Sequence, residues 1–252
     1  PLPEETEAPL PLPTDLLAEL DTCGGIVPYA LSTRVLAHFG ITALCERLTQ
    51  TPEEAKAAAE AIGYPVALKG ISPDITHKTE TGLVKLNIAD AGALRQAWDE
   101  LERSMNLHHP DARREGMLIQ SMVTGDVVET IAGVNRDPAF GTAVVGLGGI
   151  FVELLRDVSL ELAPLSPARA KAMLNRLQAA KLLQGFRGKQ PADIAALEET
   201  LVRLGRMAHA LGERLVSLDL NPLMVLPEGQ GVRIVDIVMQ ARPSGDSPKH
   251  LP

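Results

Sequence analysis

The most informative stretch of the sequence begins at residue 63 and ends at residue 82. Its first part is Gly63-Tyr-Pro-Val-Ala-Leu-Lys69-Gly70, an apolar run that predicts a buried strand ending at a lysine. Its second part is Ile71-Ser-Pro-Asp-Ile-Thr-His77-Lys-Thr-Glu80-Thr-Gly82, which is polar, rich in turn formers and predicts a loop.

Two residues of this stretch are candidates for chemistry. Lys69 either reaches solvent from a sheet edge or points as a rigidly held cation at a polyphosphate. His77 either is solvated or accepts a phosphoryl group, since the carboxylates of Asp74 and Glu80 and the cation of Lys78 lie nearby in sequence. The residues alone leave both pairs of alternatives open.

Helices and strands alternate around this stretch. Thr51, Pro52 and Glu54 predict a capped helix start, and a strand over 83–88 is followed by a helix that Asp90 caps. The rest of the chain predicts a loop over 105–115, strands near 117–122, 127–135, 142–147 and 150–155, helices near 167–183 and 191–212, and two closing strands over 216–225 and 232–239.

This order predicts an α+β (or α/β) fold with two lobes hinged near residues 115–122. The proline-rich, acidic start PLPEETEAPLPLP indicates a linker over residues 1–27. We expect the first lobe at 28–116, the second at 117–240 and a C-terminal tail at 241–252.

A glycine-rich segment, Gly146-Leu-Gly148-Gly149, lies within the longest apolar stretch. The sequence has no G-x-x-x-x-G-K-[ST] motif, and this segment lacks the last glycine of the dinucleotide fingerprint. It is therefore either a turn in a β-hairpin or a flap whose backbone N–H groups approach a phosphate.

The closing strands carry three oxygen-bearing side chains. Alternation in Ser217-Leu-Asp219-Leu-Asn221-Pro222-Leu223 places Asp219 and Asn221 on one face of a strand, and Asp236 lies in the apolar strand that follows. Carboxylate and amide oxygens suit Mg²⁺ together with substrate phosphates, although turn-forming Asx hydrogen bonds would explain the same residues.

Composition excludes several classes of function. The 252 residues include 24 basic and 32 acidic side chains, a formal charge of −8, and 3% aromatic residues, which argues against a general nucleic-acid binder. Cys23 and Cys45 are too few for a disulfide framework, so a cytoplasmic location is expected. No apolar run is long enough to cross a bilayer.

Taken together, these motifs resemble the ATP-grasp domain, of the β-subunit type, of NDP-forming (ADP-forming) acyl-CoA synthetases, the acetate–CoA ligase family. The resemblance covers roughly residues 28–240. Besides the stretch 63–82 it includes Gln120-Ser-Met122, Gly125 with Glu129, Asn135-Arg-Asp137-Pro-Ala-Phe-Gly141, Gly146 to Glu153, Asp157, Leu162-Ala-Pro164, Leu182 to Gly188 and Asp219-Leu-Asn-Pro-Leu223. One departure is Leu83, which stands where many relatives carry a second glycine.

The resemblance implies a two-lobed ATP-grasp fold with a nucleotide cleft between the lobes, binding ATP or ADP with Mg²⁺. By that likeness Lys69 contacts phosphates, the strand from Gln120 to Met122 forms the adenine hinge, and His77 carries a phosphoryl group in a relay. The implied set also includes Glu129, Gly148, Gly149 and Glu153 at the nucleotide, and Asn221, Asp236 and Asp219 at the metal.

The implied reaction is acid + CoA + ATP = acyl-CoA + ADP + Pi. It needs CoA-binding and ligase domains, for which this chain has no room. A partner domain or subunit is therefore expected, in a homo- or hetero-oligomer. Two alternatives remain: a regulatory synthetase-like domain of a protein lysine acetyltransferase, and another ATP-grasp carboxylate ligase, which would not need His77.

Overall fold

The computed structural model describes residues 10–75, 81–136, 143–149, 157–178, 180–185 and 188–242. Within these ranges the helices are α1 (Thr14–Asp21), α2 (Tyr29–His38), α3 (Pro52–Ile62), α4 (Ala91–His108), α5 (Pro167–Arg176), α6 (Ala180–Leu183) and α7 (Ile194–Leu211). The strands are β1 (Gly25–Ile26), β2 (Glu46–Thr49), β3 (Val66–Ile71), β4 (Val84–Ile88), β5 (Gly116–Ser121), β6 (Val128–Arg136), β7 (Ala143–Gly149), β8 (Val158–Leu162), β9 (Leu215–Val225), β10 (Val232–Ile234) and β11 (Ile237–Ala241). None of the described helices is long and apolar enough to cross a membrane.

Contacts within the chain divide it into two units. The small unit comprises Pro28–Ala30 and Ala43–Thr124, and the large unit comprises Pro1–Val27, Leu31–Thr42 and Gly125–Pro252. This differs from the sequence prediction, which divided the lobes between residues 116 and 117. Strand β5 belongs with the small unit because it forms hydrogen-bonded ladders with β2 and β3.

The small unit is a four-stranded antiparallel sheet in the order β2-β5-β3-β4, backed by α3 and α4. Both predicted helix caps are confirmed. Thr51 Oγ1 accepts from Glu54 N at 3.2 Å, and Asp90 Oδ1 accepts from Ala93 N at 2.8 Å. The capping box is shifted by one residue, because Glu54 Oε2 accepts from Gln50 N at 2.7 Å.

One face of this sheet forms a core with the two helices, and its members include Val66, Leu68, Ile119, Trp98 and Leu101. Helix α4 continues to residue 108, into the segment 105–115 that the sequence predicted as a loop. The apolar stripe of the helix explains the extension, since the Met105 side chain is 2% exposed and packs in the same core.

The large unit is built on an antiparallel sheet in the order β1-β11-β9-β6-β7-β8, with β10 also paired to β9. The predicted apolar face of α7 is confirmed by burial of Leu197, Leu201, Leu204 and Ala208. The predicted helix over 167–183 is two helices, because Leu177 adopts extended backbone angles after α5.

Other parts of the large unit also depart from the sequence predictions. Helix α1 lies inside the predicted linker and buries Leu16 and Leu20. The predicted strand over 232–239 is divided into β10 and β11, while β8 was not predicted and the predicted strand 150–155 lies outside the described residues. The predicted tail begins inside β11, whose last residue is Ala241, and residues 243–252 lie outside the described residues.

Candidate active site

Lys69 lies on the face of the small sheet that the helices do not cover. Side chains alternate along β3, so that Val66 and Leu68 enter the helix-backed core and Lys69 points to the opposite face. The strand is internal, because Lys69 is paired with Leu118 of β5 and Val84 of β4. The residue is only 4% exposed, which excludes the alternative of a solvated lysine at a sheet edge.

Gln120 shares this face and is 1% exposed. It lies opposite Ala67, two residues along β5 from Leu118, which makes Gln120 and Lys69 diagonal neighbours about 7 Å apart. Met122 follows directly after β5 and is half-buried. The structure therefore brings the predicted phosphate lysine and the start of the predicted adenine hinge onto one surface of the small unit.

A hydrogen-bonded chain that the sequence did not suggest holds Gln120. Its Nε2 donates to Glu46 Oε2 at 2.7 Å, from the opposite position on β2. Tyr29, which is 7% exposed, donates its hydroxyl to both oxygens of Glu46 at 2.9 and 3.0 Å. The Tyr29 backbone N–H in turn donates to Glu115 Oε2 at 2.8 Å. Local sequence carries no signal of these contacts, because they link residues 17 to 86 positions apart.

The predicted loop histidine, His77, lies outside the described residues, as does Glu153. Asp74, considered above as a carboxylate near His77, forms hydrogen bonds with Arg113. Its Oδ1 accepts from Arg113 Nη2 at 2.6 Å, and its Oδ2 accepts from Arg113 N at 2.8 Å. The hydrogen bonds from the Arg113 side chain and then from its backbone lower the pKa of Asp74 to about 2, so this carboxylate stays ionised.

In the large unit, Asp219 and Asn221 lie on the exposed face of β9, where they flank the buried Leu220. Asp236 lies between β10 and β11, where its carbonyl oxygen accepts from Asn221 N at 3.3 Å. Its Oδ1 accepts from Ile237 N at 2.9 Å. Backbone pairing therefore places Asp236 opposite Asn221.

A β-bulge lies at the same position. Pairing of β6 with β9 runs from Thr130 opposite Leu223 to Ala132 opposite Leu220, so a single β6 residue lies opposite Asn221 and Pro222. Such bulges re-aim side chains next to functional sites. One pair further along, Asp219 lies opposite Gly133, where a Cβ atom would come within 2.5 Å of Leu218 O. The backbone next to Asp219 is thus closely packed.

The chemistry of this set fits Mg²⁺. It comprises two carboxylates and one amide, and Mg²⁺ is held by one or two protein carboxylates with phosphate oxygens and waters completing its shell. Among the described residues, no group of three or more histidine, cysteine, aspartate or glutamate side chains could hold a metal ion. The candidate set therefore rests on two carboxylates together with the amide of Asn221.

The remaining predicted nucleotide residues lie on β6 and β7. Glu129 is exposed and opposite Met224, while Gly148 is buried between Ile131 and Val158, and Gly149 pairs with Thr130. Residues 143–149 form a strand paired with β6, and with β8 over 144–148. Of the two alternatives for the glycines, the hairpin turn is therefore wrong at Gly146 to Gly149, because this segment forms ladders with β6 and β8, and the phosphate-binding role stays a prediction.

Two antiparallel sheets, one with the buried Lys69 and one with Asp219 and Asn221 on an exposed face, are typical of the ATP-grasp class of nucleotide-binding proteins. The family model described as the ATP-grasp domain matches residues 25–240. The chain belongs to this family, which confirms the predicted fold.

Within this family, the chain is similar to ADP-forming acetate–CoA ligases. The chain is 39% identical over 204 residues to the acetate–CoA ligase [ADP-forming] II subunit beta of Pyrococcus furiosus, an alignment that covers 81% of this chain and 86% of the subunit. It is 38% identical over 219 residues to the acetate–CoA ligase [ADP-forming] I of Archaeoglobus fulgidus, covering 86% of this chain and 32% of that ligase. It thus spans most of a separate β subunit and about a third of a longer ligase.

Solved structures of an acetyl-coenzyme A synthetase are similar to this chain in fold and in sequence. The dinucleotide-forming acetyl-coenzyme A synthetase 1 of Ca. Korarchaeum cryptofilum, in complex with coenzyme A and Ca-AMPCP, matches with a TM-score of 0.82 and 38% identity, covering 90% of this chain and 98% of that one. A second structure of that enzyme holds Mg-AMPPCP, with its phosphohistidine segment pointing towards the nucleotide binding site; its TM-score is 0.73 at 36% identity, and 90% and 99% of the two chains are covered. The predicted likeness to ADP-forming synthetases is confirmed.

Proposed function

We propose that this chain is the nucleotide-binding part of an ADP-forming acyl-CoA synthetase. It binds ADP or ATP with Mg²⁺ and moves a phosphoryl group between the nucleotide and His77. The reaction as a whole joins an acid to CoA at the expense of ATP, with ADP and phosphate as products.

The observation that carries the proposal is the burial of Lys69 beside Gln120, on the face of the small sheet opposite α3 and α4. A lysine that is 4% exposed is a cation held away from bulk water, where its attraction to an anionic ligand is stronger than at the surface. Because β3 is held on both sides by β5 and β4, the ammonium group is presented from a rigid element. The likeness to ADP-forming synthetases solved with nucleotide analogues supports the same assignment.

Each residue then has a defined task. Lys69 orients the phosphates and balances their charge, while Gln120 and Met122 line the adenine. Asp219, Asn221 and Asp236 supply oxygen atoms to Mg²⁺. When bound, the ion neutralises charge that develops on the phosphate oxygens.

His77 acts as the phosphoryl carrier in this scheme. In the direction of ATP synthesis, an imidazole nitrogen of His77 takes the phosphoryl group from a phosphohistidine of the partner; one P–N bond breaks, another forms, and the partner's histidine takes up a proton as His77 loses one. A β-phosphate oxygen of ADP then attacks that phosphorus, the P–N bond of His77 breaks, and its nitrogen regains a proton. The carrier divides one long transfer into two short ones.

The partner in the proposal is a CoA-binding and ligase part, either a separate subunit or a further segment of the same polypeptide. Both arrangements occur among the relatives, as a β subunit and as a ligase three times as long as the matched region. We expect this chain alone to bind nucleotide without making acyl-CoA. Acyl-CoA-dependent ATP synthesis by the purified 252-residue chain would contradict this.

Calorimetric titration with Mg-ADP tests the nucleotide site. We expect a Kd below about 1 mM, weakened about 10- to 150-fold in Lys69→Met, since a hydrogen bond from a charged group contributes about 1.5–3 kcal/mol. Lys85→Met is the matched control, because Lys85 lies on the neighbouring strand and pairs with Glu100 at 2.7 Å. Equal weakening in both variants would refute the role of Lys69.

Incubation with Mg-ATP labelled at the γ-phosphate tests the carrier. We expect acid-labile, base-stable label on the chain that is absent from His77→Ala. Nucleotide binding without label would instead favour the regulatory domain or a carboxylate ligase that works without a histidine.

A further inference from the structure

The chain is fixed in the small unit on both sides of His77. Ile75 before it is 6% exposed, Leu83 after it is fully buried, and both belong to the core that the sheet forms with α3 and α4. Leu83 O also accepts from Gly70 N at 2.9 Å, which ties the returning chain to β3. His77 itself lies outside the described residues, but it follows Ile75 by two positions, so the two Cα atoms are at most about 7 Å apart. The position of Ile75 therefore limits where the imidazole can reach.

A turn built on Ser72 leads from β3 to Ile75. Asp74 N donates to Ser72 Oγ at 3.1 Å, and Ile75 N donates to Ser72 O at 3.4 Å. Turns closed by a serine hydroxyl are held more weakly than those closed by an Asn or Asp side chain. The direction in which the chain leaves this turn therefore depends on a further contact.

Arg113, in the segment between α4 and β5, makes that contact with Asp74. Asp74 Oδ2 accepts from Arg113 N at 2.8 Å and from Nε at 3.1 Å, while Oδ1 accepts from Nη2 at 2.6 Å and from Nε at 3.2 Å. A bidentate pair of this kind fixes direction as well as distance. The four hydrogen bonds fill the acceptor positions of the carboxylate, so Asp74 serves as an anchor rather than as a hydrogen-bond partner for His77.

The segment that carries Arg113 is itself fixed. Glu115 N donates to Ile71 O at 2.9 Å, and Ala112 packs against the core. This segment is thus tied to the chain before His77 twice, at Ile71 where β3 ends and again at Asp74. The second tie lies at the surface, since the side chains of Arg113 and Asp74 are 72% and 37% exposed.

We propose that Arg113 is a positioning residue for phosphoryl transfer, which fixes, through its hydrogen bonds to Asp74, the point from which the chain runs to His77. The inference rests on the proposed function, since it takes His77 as the phosphoryl carrier. It adds a residue that lies 39 positions from Asp74 in the sequence and outside the stretch that contains the histidine.

The test measures two quantities on the whole chain: the rate at which His77 is labelled from γ-labelled Mg-ATP, by rapid quenching, and the Kd of Mg-ADP, by calorimetry. In Arg113→Ala we expect the labelling rate at saturating Mg-ATP to fall about tenfold or more, because a displacement near 1 Å costs up to about a hundredfold at a reacting group. The Kd of Mg-ADP should stay unchanged. Arg114→Ala is the matched control, because Arg114 is the next residue, donates to Asn106 Oδ1 at 2.6 Å and should leave both quantities unchanged.

A double-mutant cycle shows whether Arg113 acts through Asp74. Asp74→Ala should lower the labelling rate as Arg113→Ala does, and the two substitutions together should lower it no further. Additive effects would overturn the proposal, as would an unaltered rate in Arg113→Ala, an equal fall in Arg114→Ala, or a Kd of Mg-ADP that weakens in proportion to the rate. If Arg113→Ala does not fold, Asp74→Asn removes the charge at similar size, and the same fall in rate at unchanged Kd is expected.

Failure of the two proposals would look different. A wild-type chain that binds Mg-ADP but takes up no label at His77 contradicts the carrier role in the proposed function, and with it this inference. If the wild-type chain and Arg113→Ala are labelled at the same rate, the carrier role stands and only the role of Arg113 is contradicted.

Discussion

Replacing Gly133 by alanine should separate the two central strands of the large sheet next to the candidate metal residues. A Cβ atom at this position would lie 2.5 Å from Leu218 O, whereas ordinary contacts begin at 3.4 Å. Strands β6 and β9 must therefore move apart by about 0.9 Å at the pair formed by Gly133 and Asp219. The neighbouring atom belongs to the backbone, so no side-chain rotation relieves the clash.

Two consequences of Gly133→Ala can be measured. Overpacking of this kind costs about 1–3 kcal/mol, which we expect as a lower free energy of unfolding in urea. Asp219 is displaced with β9, and Mg²⁺ requires near-ideal octahedral geometry, so the contribution of Mg²⁺ to nucleotide affinity should fall. Displacements near 1 Å cost up to about a hundredfold in precisely positioned sites. Titration of ADP with Mg²⁺ and then with EDTA isolates that contribution.

The control is Gly92→Ala in the first turn of α4, where the new Cβ would meet only the Asp90 side chain, at 3.2 Å. We expect it to leave stability the same or slightly higher, because alanine favours a helix more than glycine does. An unfolding free energy of Gly133→Ala equal to that of the wild type would refute the close approach of β6 and β9. Lower stability with unaltered Mg²⁺ dependence would refute the link from this pair to the metal.

Three further changes have defined outcomes. Asp236→Asn should weaken Mg-ADP binding several-fold while leaving the affinity for metal-free ADP unchanged in calorimetry, because one carboxylate ligand is lost. The pKa of Asp74 is lowered from an ordinary 3.8 to about 2, so its contribution to stability is present above pH 3.8 and is lost as the pH falls through 2. Urea titrations of Arg113→Ala should therefore show a smaller loss of unfolding free energy between pH 3.8 and 2 than those of the wild type. An identical pH dependence of the two proteins would contradict the pairing of Asp74 with Arg113. Asp193 is 8% exposed and accepts hydrogen bonds from Ala196 N at 3.1 Å and Gly231 N at 2.8 Å. Asp193→Ala should therefore lower the free energy of unfolding by about 2 kcal/mol. An unchanged urea midpoint would contradict this.

Features set by neighbouring residues were predictable from the sequence. The starts of α3 and α4 follow from Thr51 and Asp90, since a cap is a contact over three residues. The buried strand that ends near Lys69 and the alternation around Asp219 were also predicted, because strand burial has a period of two.

Features set by pairing between distant segments were not predictable in the same way. Strand β2 is four residues long and β8 five, too short for a period to stand out. The glycines near residue 148 suggested a turn, but β6 on one side and β8 on the other keep them in a strand. The boundary between the units was misplaced because β5 is assigned by its ladders rather than by its own composition.

The sequence by itself determined the family, the helix starts, and which residues are candidates for binding a phosphate or a metal ion, because these are properties of residue type and local order. Only the tertiary structure decided that Lys69 is buried on the face of its sheet opposite α3 and α4, and that Asp236 lies opposite Asn221. It alone placed Glu46 against Gln120, 74 residues away in the chain. The physical reason is that hydrogen bonds and burial depend on the register of paired strands, and register is a property of the folded sheet rather than of any one strand.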